Sequence, residues 1–283
     1  MPRGLNGGVR MLRCELERFI EEDVGWAGEL FDIVDGECIG VVYAGQEGVV
    51  AGLEEAHEVF EYFGLDVELL VVDGSSVREG DALMRVRGSA SSLLRAERLA
   101  LNFIGRMSGI ATMTRRCVDA LRQAGSRVRV ACTRKTTPGF RKFEKRAVVL
   151  GGGDAHRFDL SDAIMLKDNH LKLITIEEGV RRARALAGVM RKVEVEVESI
   201  EDAVRAARAG ADVIMFDNMS PEQIQKGVHT LQRLGLRDGV LLEASGGITC
   251  ENITSYAHIG LDFVSVGQIV HSAPFFDVRL EVV

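Results

Sequence analysis

Two adjacent cations follow a short apolar run near the middle of the chain. The segment VACTRKTTPGFRK, residues 130–142, begins with small apolar residues and places Arg134 and Lys135 just before the turn signal Pro138-Gly139. Arginine suits bidentate binding of carboxylate or phosphate, so the pair could hold an anionic ligand. The same residues could also form an ordinary solvated strand end. The residues that the fold places beside them decide between these interpretations.

Further cations follow glycines or end apolar runs. His156 and Arg157 come after the GGGD segment at 151–154, and Lys167 ends the run DAIMLK. Cations packed together repel one another unless an anion compensates their charge, so a substrate with several negative charges fits this set. A loop histidine is more often plain surface than ligand, and Lys167 could instead form a Schiff base, as in barrel aldolases.

A basic stripe is predicted on a strong helix at residues 90–107. Arg95, Arg98, Asn102 and Arg106 recur at spacings of three, four and four residues, so they share one side of the helix. Such a stripe is commonly a solvated face. The alternative is a basic wall that lines an anion site.

Two carboxylates, Glu196 and Asp217, end neighbouring strands of the predicted sheet. Carboxylates at a strand-end rim suit Mg²⁺, which prefers oxygen ligands and often bridges to substrate phosphates. Glu194, Glu196 and Glu198 of the VEVEVE run point the same way, and Glu194 needs a cationic partner if it faces inward. An acidic strand alone is more often a salt-bridged surface, so the metal interpretation depends on a phosphate site beside it.

Glycines follow each of the last two predicted strands, in SGGI at 245–248 and in SVGQ at 265–268. Glycines let backbone N–H groups approach an anion, and a helix beginning at Thr249 would add positive potential. Phosphate sites after the last two strands recur in α/β barrels. The pattern therefore predicts a phosphate site, and the alternative is that these glycines only shape tight turns.

The elements that must position these residues alternate regularly from about residue 127 onward. Each short apolar strand is followed by a helical segment, which indicates a parallel sheet with crossover helices. Polar residues gather at the carboxyl ends of the strands, where the loops of a (β/α) barrel build its active site. Because six clear strands are found instead of eight, an incomplete (β/α) barrel is expected. The predicted strands are 128–133, 162–167, 192–197, 211–216, 240–245 and 262–267, with helices at 140–150, 175–187, 200–209, 221–234 and 249–258.

The first third of the chain has a mixed pattern instead. Amphipathic helices are predicted at 11–22 and 53–62, and short apolar strands at 39–43, 69–72 and 83–86. We therefore expect an N-terminal α+β sandwich-like domain over residues 1–110 and an incomplete α/β barrel over residues 111–267. A C-terminal tail at 268–283 could pack on the first domain.

The composition limits the class of protein. A formal net charge of −7 over 283 residues argues against a nucleic-acid partner. The sequence has no apolar run of about 18 residues, and its first ten residues lack the apolar core of a signal peptide, so we expect a cytoplasmic protein without a membrane span. The five cysteines are scattered and form no CxxC pair, so neither a zinc site nor a disulfide framework is expected.

The motifs together resemble quinolinate phosphoribosyltransferase, the carboxylating nicotinate-nucleotide pyrophosphorylase family, over roughly residues 90–272. The segment EDVGWAGEL at 22–30 departs from the opening that is usual in the family. The matching motifs, in chain order, are LLRAERLALNFIGRMSGIAT, TRKTTPG, GGGDAHRF, LKDNH, VEVEVE, FDNM, EASGGI and SVGQIVHS.

The resemblance implies an enzyme of NAD biosynthesis. It would convert quinolinate and phosphoribosyl pyrophosphate into nicotinate mononucleotide, pyrophosphate and CO₂. The implied assembly is a homodimer, or a multiple of it, in which Arg98 reaches the partner subunit's site.

The resemblance also implies a role for each site residue. Lys135, Lys167, Glu196 and Asp217 would be catalytic, with Lys135 between the two substrates and the two acids on Mg²⁺. The quinolinate site would comprise Arg98, Thr133, Arg134, Lys135, His156, Arg157 and Lys167, and the 5′-phosphate site Ser245, Gly246, Gly247 and Gly267.

Three other functions stay open at this stage. A nicotinate phosphoribosyltransferase, or the related molybdenum-associated protein ModD, has the same fold, but a monocarboxylate needs fewer cations than this sequence carries. A non-catalytic phosphometabolite-binding barrel would not need Glu196 and Asp217 as a metal pair. A Schiff-base aldolase would centre on Lys167.

Overall fold

The structure is a computed structural model that describes residues 11–25 and 34–283. The chain divides into two compact units, one of Met1–Thr112 with Ala273–Val283 and the other of Met113–Ser272. The first ten residues, on which the signal-peptide argument was based, lie outside the described part. Most of the EDVGWAGEL segment lies outside it as well.

The first unit is built on an antiparallel sheet of four strands in the order β12-β1-β5-β3, with a separate pair of β2 and β4. Within the described ranges its elements are α1 (Arg13–Val24), β1 (Glu37–Ala44), β2 (Gly48–Val49), α2 (Leu53–Tyr62), β3 (Asp66–Leu69), β4 (Ser76–Val77), β5 (Ala82–Ser89), the first part of α3 (Ala90–Gln123) and β12 (Val278–Val282).

Both predicted helices of this unit are confirmed, and two of its predicted strands. The strand expected at 69–72 is wrong in position, because β3 ends at Leu69 and the side chains of Leu70 and Val72 are exposed. Helix α3 continues well past the expected end at residue 107. The final strand β12, which sequence reasoning did not predict, pairs with β1, with Val42 opposite Leu280.

The second unit is an open, parallel six-stranded sheet in the order β6-β11-β10-β9-β8-β7. Strands β6 and β7 are its two edges and do not pair with each other, so the predicted incomplete barrel is confirmed. Its elements are the rest of α3, β6 (Arg129–Ala131), α4 (Arg141–Leu150), β7 (Ile164–Leu166), α5 (Asp168–Leu171), α6 (Ile176–Ala187), β8 (Val193–Val197), α7 (Ile200–Ala209), β9 (Val213–Asp217), α8 (Pro221–Arg233), β10 (Leu241–Ser245), β11 (Phe263–Ser265) and α9 (Gln268–His271).

Local sequence explains where the crossover helices begin. The side chains of Thr175, Ser199 and Ser220 each accept a hydrogen bond from a backbone N–H in the first turn of α6, α7 and α8. The helix expected over 249–258 is wrong, because the structure has only a 3₁₀ turn at Ile253–Tyr256 there. The additional positive potential expected from a helix beginning at Thr249 is therefore absent.

Two cysteines of the second unit form a disulfide, which corrects the expectation drawn from their spacing. Cys117 of α3 and Cys250 are 133 residues apart in sequence, and their Cα atoms lie 4.7 Å apart. Cys132 is buried and free. No helix in the described ranges is both long and apolar enough to cross a membrane, and the cytoplasmic location stays a prediction.

Candidate active site

A cavity of about 760 Å³ lies at the carboxyl ends of the six parallel strands. It brings together every site residue predicted from the sequence except Arg98. Arg98 is exposed on α3, within the first unit. The predicted residues that line the cavity are Thr133, Arg134, Lys135, His156, Arg157, Lys167, Glu196, Asp217, Ser245, Gly246, Gly247 and Gly267.

The arginines of this cavity have unused hydrogen-bonding capacity. The Nε atoms of Arg134 and Arg157 are both buried, and neither has a hydrogen-bond partner within the described ranges. Burial lowers the pKa of Arg157, and the neighbouring Arg134 lowers it further. Two close guanidinium groups with buried, unpaired N–H donors are typical of an anion-binding wall.

The predicted metal residues lie on the adjacent strands β8 and β9. Glu196 pairs with Lys167, at 2.9 Å between Oε2 and Nζ, and Asp217 accepts a hydrogen bond of 2.6 Å from the Asn218 amide. Burial raises the pKa of Asp217, and the nearby Glu196 raises it further. Carboxylates that repel each other in this way suit a divalent cation, so the residues present fit Mg²⁺.

The glycine segment after β10 approaches its neighbouring strand closely. Gly246 has a φ of +93°, and a Cβ there would lie 2.2 Å from Asn218 Oδ1. Gly247 also has a positive φ, +63°, but a Cβ there would meet open space. Only glycine therefore fits at Gly246, whereas at Gly247 the requirement is purely conformational.

Two non-glycine residues of the described chain have positive φ, and both line the cavity. They are His156, at +53°, and Asn218, at +52°. Such conformations cost on the order of 1–3 kcal/mol and persist where surrounding contacts determine them. The structure thus stores strain on both sides of the cavity.

His156, which lines the cavity, contacts two buried glutamates. Its Nε2 lies 3.3 Å from Glu243 Oε2 and 3.8 Å from Glu194 Oε2. His156 thus faces the inward-pointing Glu194, but it is the cationic partner expected from the sequence only when its ring is protonated. Burial raises the pKa of Glu194 to about 8 and that of Glu243 to about 7, and their mutual repulsion contributes to the shift of Glu194. Burial also lowers the pKa of His156.

The contribution of Glu243 to stability should fall as pH rises from about 5 to about 8, and Glu243→Gln should remove that contribution from the pH dependence of unfolding. An acid whose folded pKa is raised keeps its proton in the folded state after the unfolded chain has released it. Its contribution to stability is complete below the ordinary value of 4.5 and is lost as pH rises through about 7. The loss is on the order of 3 kcal/mol.

Urea denaturation of both proteins at pH 5 and pH 8 measures this effect. Glu198→Gln, at the exposed end of the same acidic run, is the control and should keep the wild-type slope. Parallel stability profiles for the wild type and Glu243→Gln would show that Glu243 is ionised in the folded protein.

Some residues of the site were missed by sequence reasoning as functional candidates. Glu243 and Asn218 were not among the predicted site residues, although both line the cavity. Lys145 was not predicted to have any role. It is buried, and its ammonium donates to the carbonyl of Thr133, next to Arg134. Lys145 stands between Glu144 and Arg146 in the sequence, so no apolar pattern marked it as buried.

Fold and site together define an α/β protein whose incomplete barrel carries a cation-lined cavity of the kind that binds anionic ligands. The barrel supplies cations, a carboxylate pair and glycine loops around one cavity. Comparison with known proteins identifies the family within this class.

The chain belongs to the quinolinate phosphoribosyltransferase family. The family's N-terminal domain matches residues 28–108 and its C-terminal domain residues 110–281. A relative from Archaeoglobus fulgidus, named probable nicotinate-nucleotide pyrophosphorylase [carboxylating], is 45% identical over 90% of this chain and 98% of its own. The human nicotinate-nucleotide pyrophosphorylase [carboxylating] is 39% identical over 87% of this chain and 82% of its own.

Solved structures agree with this assignment. The nicotinate-nucleotide pyrophosphorylase from Francisella tularensis superposes with a TM-score of 0.89 at 32% identity, over 97% of this chain and 98% of its own. Human nicotinic acid phosphoribosyltransferase reaches a TM-score of 0.58 at 12% identity, over 95% of this chain and 73% of its own, which shows a shared fold alone. The family resemblance inferred from the motifs is confirmed.

Proposed function

We propose that this protein transfers the phosphoribosyl group of phosphoribosyl pyrophosphate to quinolinate, with release of pyrophosphate and CO₂. The observation that carries the proposal is the wall of cations in a chain of net charge −7, with two buried guanidinium Nε atoms left unpaired. A substrate with two carboxylates supplies the missing acceptors. The names of the relatives support the same reaction.

Arg134, Arg157 and Lys167 are the proposed clamp for the two carboxylates of quinolinate, together with Thr133 and His156. Lys135 is more exposed than Arg134 and is proposed to lie between quinolinate and the phosphoribosyl donor. The 5′-phosphate is assigned to the backbone around Ser245, Gly246, Gly247 and Gly267. The glycines at this place allow N–H groups to approach an anion.

Glu196 and Asp217 are the proposed ligands of Mg²⁺, which when bound supplies positive charge toward the departing pyrophosphate. Lys167 lies beside them through its contact with Glu196. The protein's own residues orient the pyridine nitrogen toward the ribose C1. Such orientation contributes up to about 7–11 kcal/mol in favourable systems. The positively charged pyridinium nitrogen formed by the attack then stabilises the electron pair that stays on the adjacent ring carbon when CO₂ leaves, and a proton from solvent takes the place of the carboxylate on that carbon.

Release of CO₂ tests the reaction directly. Purified protein with carboxyl-labelled quinolinate, phosphoribosyl pyrophosphate and Mg²⁺ should form labelled CO₂ and nicotinate mononucleotide. Turnover of nicotinate without CO₂ release would indicate the nicotinate phosphoribosyltransferase activity instead. Binding of phosphorylated ligands without any turnover would indicate a non-catalytic barrel, and borohydride trapping of a carbonyl substrate on Lys167 an aldolase.

The glycine loop offers a matched pair of variants. Gly246→Ala should raise the KM for phosphoribosyl pyrophosphate by about a hundredfold, because the new Cβ meets Asn218 and the positive φ is strained. Gly247→Ala adds strain only, so it should raise that KM by about fivefold to tenfold. Steady-state kinetics at saturating quinolinate give both values. Equal effects of the two substitutions would contradict the close approach at Gly246.

We also propose a homodimer, or a multiple of it, in which Arg98 completes the partner subunit's site. Arg98 is an exposed cation on α3 and supports this role by its charge and exposure. Arg98→Ala and Arg134→Ala should each be nearly inactive alone. Mixed by unfolding and refolding together, they should regain up to about a quarter of wild-type activity, because half of the subunits enter mixed dimers and each mixed dimer holds one intact site.

Subunit mixing is checked with two different affinity tags on the variants. Activity that does not return in the doubly tagged dimer would contradict a shared site. Lys172→Ala, which removes an exposed lysine paired with Asp168, replaces Arg98→Ala in the control mixture.

A further inference from the structure

Lys145 is a buried lysine that the proposed reaction does not use. It lies in α4, and 2% of its surface is exposed. It does not line the cavity described above. A lysine is almost never fully buried unless its ammonium is paired or hydrogen-bonded. Its contacts therefore indicate what holds it there.

The ammonium of Lys145 has three acceptors. Its Nζ donates to the backbone carbonyl of Thr133 at 3.3 Å, to the carbonyl of Ala155, and to the Cys132 sulfur at 3.4 Å. An ammonium has three N–H donors, so its capacity is filled. The Cys132 thiol also donates to the Ala155 carbonyl, at 3.2 Å. Burial lowers the pKa of Lys145 and raises that of Cys132.

The two carbonyls belong to the residues immediately before Arg134 and His156. Arg134 begins one cationic segment, Arg134-Lys135, which follows β6. His156 begins the other, His156-Arg157, which follows the GGGD segment. The second segment runs beside β6, because Cys132 N donates to Asp154 O at 3.0 Å. The next residues along the two segments are Thr133 and Ala155, and Lys145 joins them by donating to the carbonyl oxygens of both.

The conformation of His156 makes this link important. Its φ of +53° is unfavourable for a residue with a side chain, so the peptide unit between Ala155 and His156 must be held by its surroundings. The carbonyl of that unit is the one that accepts from both Lys145 and Cys132. Loss of the ammonium would leave this carbonyl with only the weak thiol donor.

We propose that Lys145 is a positioning residue for the dicarboxylate subsite: its ammonium ties the Thr133 and Ala155 carbonyls together and so sets the spacing between Arg134 and the His156-Arg157 pair. The inference rests on the proposed assignment of these residues to quinolinate. Displacement by about 1 Å of groups that orient a substrate can cost up to about a hundredfold. The hydrogen bonds of Lys145 go to Cys132, Thr133 and Ala155 and not to the glycine segment after β10, so phosphate binding should be unaffected.

The test separates the donors of Lys145 from its volume. Lys145→Met keeps the length of the side chain and removes the donors, whereas Lys145→Gln keeps two N–H donors without charge. Lys142→Met removes a lysine from the same helix, where its ammonium lies over the Phe143 ring, and is the matched control. Calorimetry measures the Kd of quinolinate and of inorganic phosphate for each variant, and thermal unfolding measures its Tm.

Lys145→Met should raise the Kd of quinolinate about tenfold or more, and leave the Kd of phosphate within about twofold of the wild-type value. Lys145→Gln should recover part of the quinolinate affinity, and Lys142→Met should behave as the wild type. The proposal is overturned if Lys145→Met binds quinolinate as tightly as the wild type. It is also overturned if both ligands weaken equally, since that indicates general loss of structure.

Arg134→Ala distinguishes failure of this inference from failure of the proposed function. If the site assignment is wrong, Arg134→Ala binds quinolinate as the wild type does. If only the Lys145 inference is wrong, Arg134→Ala loses quinolinate while Lys145→Met retains it. Should Lys145→Met fail to fold, Lys145→Gln and Cys132→Ala provide the comparison, because Cys132→Ala removes the other donor to Ala155. Wild-type quinolinate affinity in both variants would then overturn the inference.

Discussion

Arg134→Ala should weaken quinolinate binding by about a hundredfold while changing the KM for phosphoribosyl pyrophosphate by less than about threefold. Removing one partner of a buried, hydrogen-bonded charge pair costs about 2–5 kcal/mol, and 1.4 kcal/mol corresponds to a factor of ten. The buried, unpaired Nε of Arg134 indicates that the ligand is that partner. Calorimetry with quinolinate and steady-state kinetics for the donor measure the two effects.

Arg129→Ala is the matched control for this prediction. Arg129 begins β6, the strand that precedes Arg134, and it forms an exposed ion pair with Asp154. Exposed ion pairs of this kind contribute little to stability, so loss of the pair should leave the fold intact. Quinolinate affinity should therefore stay at the wild-type level. Unchanged quinolinate affinity in Arg134→Ala would show that Arg134 does not contact a carboxylate.

The order of elements in the barrel could be predicted because the information is local. Apolar runs of five or six residues and N-cap residues such as Ser199 and Ser220 are read directly from the sequence. The predicted helices at 175–187 and 200–209 agree with the structure to within one residue at each end. Most of the site followed from the same information, because the carboxyl ends of parallel strands meet at one edge.

The features that were missed depend on contacts between distant residues. The Cys117–Cys250 disulfide joins positions 133 residues apart, and no local pattern marks such a pair. Strand β12 is largely exposed, and only its pairing with β1 defines it. Lys145 hydrogen-bonds backbone carbonyls. Every residue has such a carbonyl, so the types of its partners give no sequence pattern that predicts the contact.

The buried cations and the buried acids of the site are compensated in different ways. On the cavity side, Arg134 and Arg157 lie close together and lack an acceptor for Nε, which favours an anionic ligand. Beside them, burial raises the pKa of Glu194 and Glu243, so that protonation near neutral pH reduces their charge. The protein thus keeps its uncompensated positive charge where a dicarboxylate would bind.

Asp217→Asn should lower kcat/KM by about a hundredfold to a thousandfold, with most of the loss in kcat. Removal of a group that stabilises charge developing in the transition state commonly lowers kcat by this factor. The amide of Asn has no charge with which to hold Mg²⁺. The half-saturating Mg²⁺ concentration should rise in parallel. Mn²⁺ binding measured by electron paramagnetic resonance, in the presence of pyrophosphate, gives a readout that does not depend on turnover.

Glu196→Gln should differ from Asp217→Asn in its effect on quinolinate affinity. Comparison of the two variants therefore separates metal binding from ion pairing with Lys167. Glu196 also pairs with Lys167 at 2.9 Å, so its substitution releases that lysine and should change quinolinate affinity as well. Asp217 forms no ion pair with Lys167, although the charge of Lys167 lowers the pKa of Asp217, so Asp217→Asn should change quinolinate affinity less than Glu196→Gln does. Asp168→Asn, whose exposed carboxylate pairs with Lys172, controls for loss of a nearby acid. A wild-type Mg²⁺ requirement in Asp217→Asn would exclude Asp217 as a ligand of the metal.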